Sequence, residues 1–548
     1  MRLLLTVLFL PLSFAANLRS ERKQVNEYRV FPAAQQETYT DGSGIVGLIK
    51  PKEIVFHATG YGAEDPVIRD ATLRFSKSLY RFPDFKEDYE INPDKADLFP
   101  IKQIELMIQS NDTKLYHGVD ERYSIKIDDI NPVVILKAET IFGALHALET
   151  FAQLLEFGWM EDDEPSYIIR RMPLSIADKP AYSFRGLLID TGRHFLELDL
   201  ILATLQAMAI NKLNVLHWHL VDEQFFPYQM ETYPEISEKG SYGRRRVYTT
   251  EDIKRVIDEA YKLGIRVIPE FDLPGHTRVI AKSHPELMAF CPDAGSVVDA
   301  SKEEVYKFVE NVYSDLNNLF PDDMIHVGGD EVKLNCWSNS EPISQWMKDH
   351  NMTEPLELYE YFETRLLRIV DKYQKTPIVW QEVFNLNLTI TPDTIVDVWK
   401  GFDTATIEAA VAQGFKVIVS GCWYLDHLNN KWEDYYKFDL RNFTGNKDLM
   451  IGGHASMWGE HVDASNFVSR TWPRGSAAAE RLWTGDVTTA QVNIRERIHQ
   501  FRCRMVQQGI AAGPTGPGFC PHEVPYMAEY ESMEPTRSSA SASHQLIS

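Results

Sequence analysis

The hydrophobic pattern of this 548-residue chain changes character about a third of the way along. Up to about residue 180, short apolar runs such as 104–108 and 123–127 read as strands. They are followed by a stretch in which Ile141, Leu145, Leu148 and Ala152 recur at helical spacing, which gives one face to pack on a sheet. A small α+β domain is therefore expected over residues 17–180. From about Phe184, short apolar runs alternate with amphipathic helices, the runs falling at 186–191, 212–220, 266–273, 324–332, 377–383, 394–399, 416–422 and 450–458. Eight such runs are what a (β/α)8 barrel requires. The expected fold is α/β, a barrel with a C-terminal extension over residues 181–527. A doubly wound sheet is the alternative, but it would usually carry a Gly-rich phosphate loop after its first strand, and here that strand ends in Thr191-Gly192-Arg193-His194. Residues 528–548 are rich in Ser, Ala and Glu, and read as a disordered tail.

Composition adds a compartment. Arg2, an apolar run from Leu3 to Leu12 and small residues at Ser13, Ala15 and Ala16 read as a signal peptide over residues 1–16. Later runs are too short to span a bilayer, so no stable membrane insertion is expected. Sequons at Asn111, Asn351, Asn387 and Asn442 fit a glycoprotein of the secretory pathway. Of five cysteines, Cys503 and Cys520 are close in sequence and Cys291 and Cys336 border strand-end loops. Two disulfides in those pairings are expected, with Cys422 left as a buried small hydrophobe. A formal net charge of −23 argues against a nucleic-acid partner.

In a barrel, the loops at the C-terminal ends of the strands build the active site. The chain places His217, His219, Asp222 and Glu223 after run two, Glu270, Asp272 and His276 after run three, and Asp330-Glu331 after run four. Trp380, Glu382, Trp399, Tyr424, Asp426, Trp458 and Glu460 follow at later ends. Carboxylates beside Trp and Tyr suit a sugar, whose hydroxyls hydrogen-bond to the acids while its ring face packs on the aromatics. Adjacent Asp330 and Glu331 cannot both face the barrel interior on a regular strand, because successive side chains alternate. They must lie where the strand ends, and Gly328-Gly329 permits the irregular backbone.

His326-Val327-Gly328-Gly329-Asp330-Glu331-Val332 resembles the signature of the β-N-acetylhexosaminidases of glycoside hydrolase family twenty. Further matches occur in the family's order: residues 184–191 with Arg193-His194, Asn214 to His219, Pro269 to Thr277, Val379 to Phe384, and Trp458-Gly459-Glu460. The resemblance covers roughly residues 100–525 and is nearest to the animal lysosomal-type enzymes. It implies a retaining exo-hydrolase without a cofactor or metal that removes terminal β-linked N-acetylglucosamine or N-acetylgalactosamine. The substrate's own 2-acetamido oxygen would be the nucleophile, an exception to the two-carboxylate rule. Glu331 would be the general acid and then base, and Asp330 would hold the acetamido N–H and stabilise the oxazolinium. Tyr424 would donate to the acetamido oxygen, and Trp380, Trp399 and Trp458 would enclose its methyl and support the ring. Arg185, Asp426 and Glu460 would bind hydroxyls, and Asp222 and His276 would tune Glu331. By position alone Arg185, near the start of its strand, would be structural, so its role rests on the resemblance.

Partners implied are an oligosaccharide or glycoconjugate substrate and a second copy in a homodimer, in a lysosomal or extracellular setting. The chain departs from the family's usual pattern at Glu223, Phe226 and His454, the last standing where a Glu is frequent. Asp426 and His427 replace the Asn-Arg pair that resembles subunits accepting 6-sulfated sugars. Two rival readings differ in class. His217-x-His219 could serve a metal-dependent hydrolase, which would need further ligands that strand ends five and six do not offer as histidine. A barrel that binds sugar without cleaving it would use the same aromatics, but would be expected to have lost Glu331.

Overall fold

The computed structural model describes residues 30–39, 44–79, 97–160, 164–291, 296–485, 493–518 and 520; the expected signal peptide and tail lie outside them. The first part is an α+β unit. Its six-stranded sheet runs in the order Gln36–Tyr39, Leu174–Asp178, Tyr123–Ile127, Val133–Ala138, Gln103–Ile108, Val55–Gly60. Alternation decides which side is covered: Ile104, Leu106 and Ile108 are buried while Gln103, Glu105 and Met107 are only half so. Against this sheet pack helices Pro66–Ser78 and Ile141–Leu154. The second is capped by Thr140, whose hydroxyl accepts the Gly143 N–H at 3.3 Å. Its buried surface is wider than the single stripe read from spacing, because Phe142, Ala144, Ala147 and Phe151 are also covered. A smaller sheet, Asp97–Pro100, Ile45–Ile49, Pro165–Ile169, Glu156–Trp159, lies alongside.

The second part is a closed parallel barrel of eight strands. They are β1 (Phe184–Asp190), β2 (Val215–His219), β3 (Arg266–Glu270), β4 (Met324–Gly328), β5 (Thr376–Trp380), β6 (Ile395–Val398), β7 (Lys416–Val419) and β8 (Met450–Met457). Every one falls within or against a run expected from sequence. Near the N-terminal end the interior is filled by Phe184, Val215, Ile268, Met324, Ile378, Ile395, Ile418 and Ile451, one side chain per strand. Such a layer makes the barrel a packed core rather than a pore. No helix among the described residues is long and apolar enough to cross a membrane. Disulfides join Cys291 to Cys336 and Cys503 to Cys520, and Cys422 is free and buried.

Candidate active site

The end of β4 departs from regular strand geometry. Its register with β5 shifts between His326 and Gly328, and Gly328 and Gly329 have φ of 78° and 97°. A Cβ on Gly328 would sit 1.8 Å from Asp272 Oδ1, and one on Gly329 would sit 2.4 Å from Val383. Only glycine fits at either position. The next residues, Asp330 and Glu331, therefore leave the barrel wall and turn over its mouth, with Glu331 at φ 49°. The Asp330 side chain is 15% exposed and that of Glu331 60%, so one carboxylate lines the floor and the other stands open.

His276, at φ 53° beyond β3, joins them. Its Nε2 lies 3.6 Å from Glu331, 3.9 Å from Asp330 and 3.9 Å from Asp272, while Nδ1 donates to Asp222 at 3.2 Å. Burial opposes its charge, but Asp272, Asp222 and Asp330 outweigh that and hold the imidazole well above its ordinary value. Burial and the charge of Asp330 hold the Asp272 carboxyl well above the carboxylate range. Burial also raises Asp330, against His276 and a hydrogen bond from Asp272. Asp272 thus holds the proton of that pair, and its Oδ1 accepts the Gly329 N–H at 2.8 Å. Asp330 Oδ1 is buried with no hydrogen-bond partner among the described residues, an acceptor left for a ligand.

Opposite lies an aromatic enclosure. Trp380 and Trp458 meet at 6.0 Å, Trp399 and Tyr424 stack at 6.3 Å, and Tyr424 reaches Trp458 at 6.2 Å. Their polar edges are pinned: Trp380 Nε1 donates to Glu270 at 2.9 Å and Trp399 Nε1 to Glu382 at 2.7 Å. Burial, with Glu460 nearby, pushes the Asp426 carboxyl up to about 6, and its Oδ1 is another buried acceptor without a partner among the described residues. The cage and the three carboxylates present one face for a ring and acceptors for its substituents.

Arg185 does not belong to this group, and its expected part in hydroxyl binding is corrected. It is 0% exposed near the start of β1, where it grips Glu121 of the α+β unit at 2.9 and 2.5 Å and donates to the Lys212 and Tyr182 carbonyls. As the second residue of its strand it points into the domain interface, far from the C-terminal mouth. The arginine at the mouth is Arg193, in the loop after β1. It pairs with Asp222 at 2.9 Å and Asp190 at 3.1 Å, reaches Glu460 at 3.9 Å, and lies over the Trp458 ring at 5.2 Å. Its place just beyond a strand end was the available signal. His217 and His219 point to different levels: His219 is clamped between Glu270 and Asp222 at 2.8 Å each, whereas His217 faces the barrel floor beside His326 and His454.

The geometry agrees with comparison to known proteins. Residues 182–486 match the family described as glycosyl hydrolase family 20, catalytic domain, and residues 30–154 match a domain described as beta-acetyl hexosaminidase like. The chain is 42% identical over 417 residues to the beta-hexosaminidase subunit beta of Mus musculus, covering 74% of this chain and 76% of that one. It is 40% identical over 419 residues to the subunit alpha of Rattus norvegicus, covering 74% and 78%. Among solved structures, the Flavobacterium johnsoniae chitobiase superposes with TM-score 0.74 at 28% identity, over 88% of this chain and 73% of that one.

Proposed function

The chain belongs to glycosyl hydrolase family 20 and is a hydrolase of the β-hexosaminidase type, and from that premise we propose that it removes terminal β-linked N-acetylglucosamine and N-acetylgalactosamine with retention, by substrate assistance. The observation that carries the reading is the placing of Asp330 and Glu331 around one histidine, His276, at the mouth of an aromatic cage. Glu331, the open carboxylate, protonates the leaving glycosidic oxygen and then activates water. Asp330, buried with a free acceptor, takes the acetamido N–H and offsets the positive charge that develops when the acetamido oxygen attacks the anomeric carbon. Tyr424 donates to that oxygen, and Trp380, Trp399 and Trp458 enclose the methyl. Arg193, Asp426 and Glu460 bind ring hydroxyls, and Asp222 orients His276.

The four sequon asparagines are all exposed, and two disulfides close within the chain. Both features support a glycosylated protein of the lysosome or the extracellular space, entering through a signal peptide. A homodimer is part of the same reading. Release of the aryl alcohol from β-N-acetylglucosaminide and β-N-acetylgalactosaminide, with β-glucoside inert, is the expected result; equal cleavage of the glucoside would overturn substrate assistance.

A further inference from the structure

Beneath the cage, where barrels ordinarily hold branched apolar side chains, lies a buried polar group. His217, Glu270, His326, Asp397 and His454 are each no more than 2% exposed. Their contacts form an unbroken line to the mouth. His454 Nε2 lies 2.6 Å from Asp397 Oδ2 and 3.4 Å from His217 Nδ1, and His217 Nε2 lies 2.9 Å from Glu270 Oε2. Glu270 takes His219 Nδ1 at 2.8 Å and the Trp380 indole at 2.9 Å. His219 Nε2 reaches Asp222 at 2.8 Å, and Asp222 holds His276 at 3.2 Å.

We propose that the His454–Asp397 pair, acting through His217, Glu270 and His219, is a positioning device for His276 and the catalytic carboxylates, an inference that rests on the reading of Asp330 and Glu331 above. The direction of each hydrogen bond carries it. A His454 Nε2–H donated to Asp397 leaves the facing His217 Nδ1 as an acceptor, so the single hydrogen of a neutral His217 sits on Nε2 and points at Glu270. Glu270 then has one oxygen for His219 and the other for Trp380, which fixes the cage wall and the Asp222–His276 arm together. The groups facing His454 are Asp397 from β6, His217 from β2, His326 from β4 and Trp380 from β5, with Ser456 on its own strand at 3.2 Å from Nδ1. Ser420 secures the other Asp397 oxygen at 2.7 Å. The departure at His454 now has a physical consequence. A glutamate there would meet Asp397 with like charge and would accept where a donor is required, reversing the hydrogen on His217.

The test uses the full-length enzyme, with His454→Leu, Asp397→Leu and the double variant. In His454→Leu, Asp397 lacks a donor and draws a second proton onto His217, whose cation then competes with His219 for Glu270. His219 and His276 lose their protons at lower pH. The basic limb of the kcat/KM profile should move about one unit toward acid and kcat should fall roughly 10-fold to 100-fold, the range set by leaving one buried acceptor unmatched. The double variant removes donor and acceptor together and should return the limb close to that of the wild type. Should His454→Leu fail to fold, His454→Gln, which keeps an N–H, and His454→Glu, which does not, give the same contrast: the first should follow the wild-type profile and the second should not. Profiles superimposable on wild type in every folded variant, with only thermal stability lowered, would overturn the proposal. So would one equivalent of zinc retained by the purified enzyme, since His217, Asp397 and His454 bring donor atoms within 4.8 Å of one another and a cation there would replace these hydrogens. Wild-type turnover and its loss in Glu331→Gln test the catalytic reading separately.

Discussion

Arg185 and Arg193 lie eight positions apart on the same strand-and-loop segment, and they divide the molecule into two regimes. At the N-terminal end of the barrel, Arg185 is sealed by Glu121 and two carbonyls, Lys212 is held by Asp178 at 3.2 Å, and an apolar layer fills the interior. Charges there are buried in full and matched in full. At the C-terminal end, Arg193 is matched by Asp222 and Asp190 yet remains 12% exposed, Asp330 and Asp426 keep unmatched acceptors, and Glu331 stands open. Burial with complete partnering marks the scaffold. Burial with partners withheld marks the place where a ligand supplies them.

The contrast can be broken most forcefully at the open carboxylate. Glu331→Gln should lower kcat on a natural disaccharide by about 10²-fold to 10⁴-fold, the usual worth of general acid catalysis, with the unfolding temperature unchanged. Near-normal turnover there would remove Glu331 from its role. The two arginines sharpen the contrast next. Arg193→Met should lower kcat/KM by roughly 10²-fold, since it strips a charged contact from the mouth, in a folded enzyme. Arg185→Met strands Glu121 and should destabilise the protein by about 3–5 kcal/mol, the cost of breaking a buried pair, while the folded fraction keeps its KM. Denaturant unfolding run beside kinetics separates the two, and an exchange of phenotypes would refute the division.

Much of this division was legible in sequence. Apolar runs of strand length located all eight strands, because a strand buried on both faces must be apolar throughout. Carboxylates and aromatics after those runs located the mouth. Arg185 was misassigned because spacing along a strand does not show which end opens to solvent, and a family motif carried it along with Arg193. The shared proton of Asp272 and Asp330 was illegible for another reason: the two lie on separate loops, and only the left-handed turns at Gly328 and Gly329 bring them together. His454 stood out as a departure, but its partners come from strands far apart in the chain.

Behind the catalytic loop, Glu363 offers an intermediate case. It is fully buried with neither oxygen partnered among the described residues, and burial pushes its carboxyl up to about 8. A carboxyl held neutral in the folded state contributes its full stability below the unfolded value near 4.5 and loses it as pH rises toward 8. Stability should therefore decline across that window. Glu363→Leu should flatten the decline and gain about 1–3 kcal/mol near pH 8, the desolvation cost of an unmatched group. A parallel decline in the variant would assign the loss elsewhere.

The smallest effect concerns the pocket rim. Asp426 ionises as pH rises through about 6, and as a carboxylate it would repel a 6-sulfate while accepting from a neutral 6-hydroxyl. The ratio of kcat/KM for 6-sulfated over plain aryl N-acetylglucosaminide should fall several-fold between about pH 5 and pH 7, and Asp426→Asn should remove the fall. A ratio independent of pH in the wild type would place Asp426 away from the 6-position.

The central claim is that the acetamido oxygen is the nucleophile in a site whose own carboxylates act as acid and polarising base. It is tested most directly by aryl N-acetylglucosaminides carrying zero to three fluorines on the acetyl methyl, with the same leaving group throughout. Each fluorine withdraws electrons from the attacking oxygen and changes little else, so kcat should fall steeply and regularly along the series. A flat series would show that the oxygen does not attack, and would contradict the mechanism whatever the activity of the unsubstituted substrate.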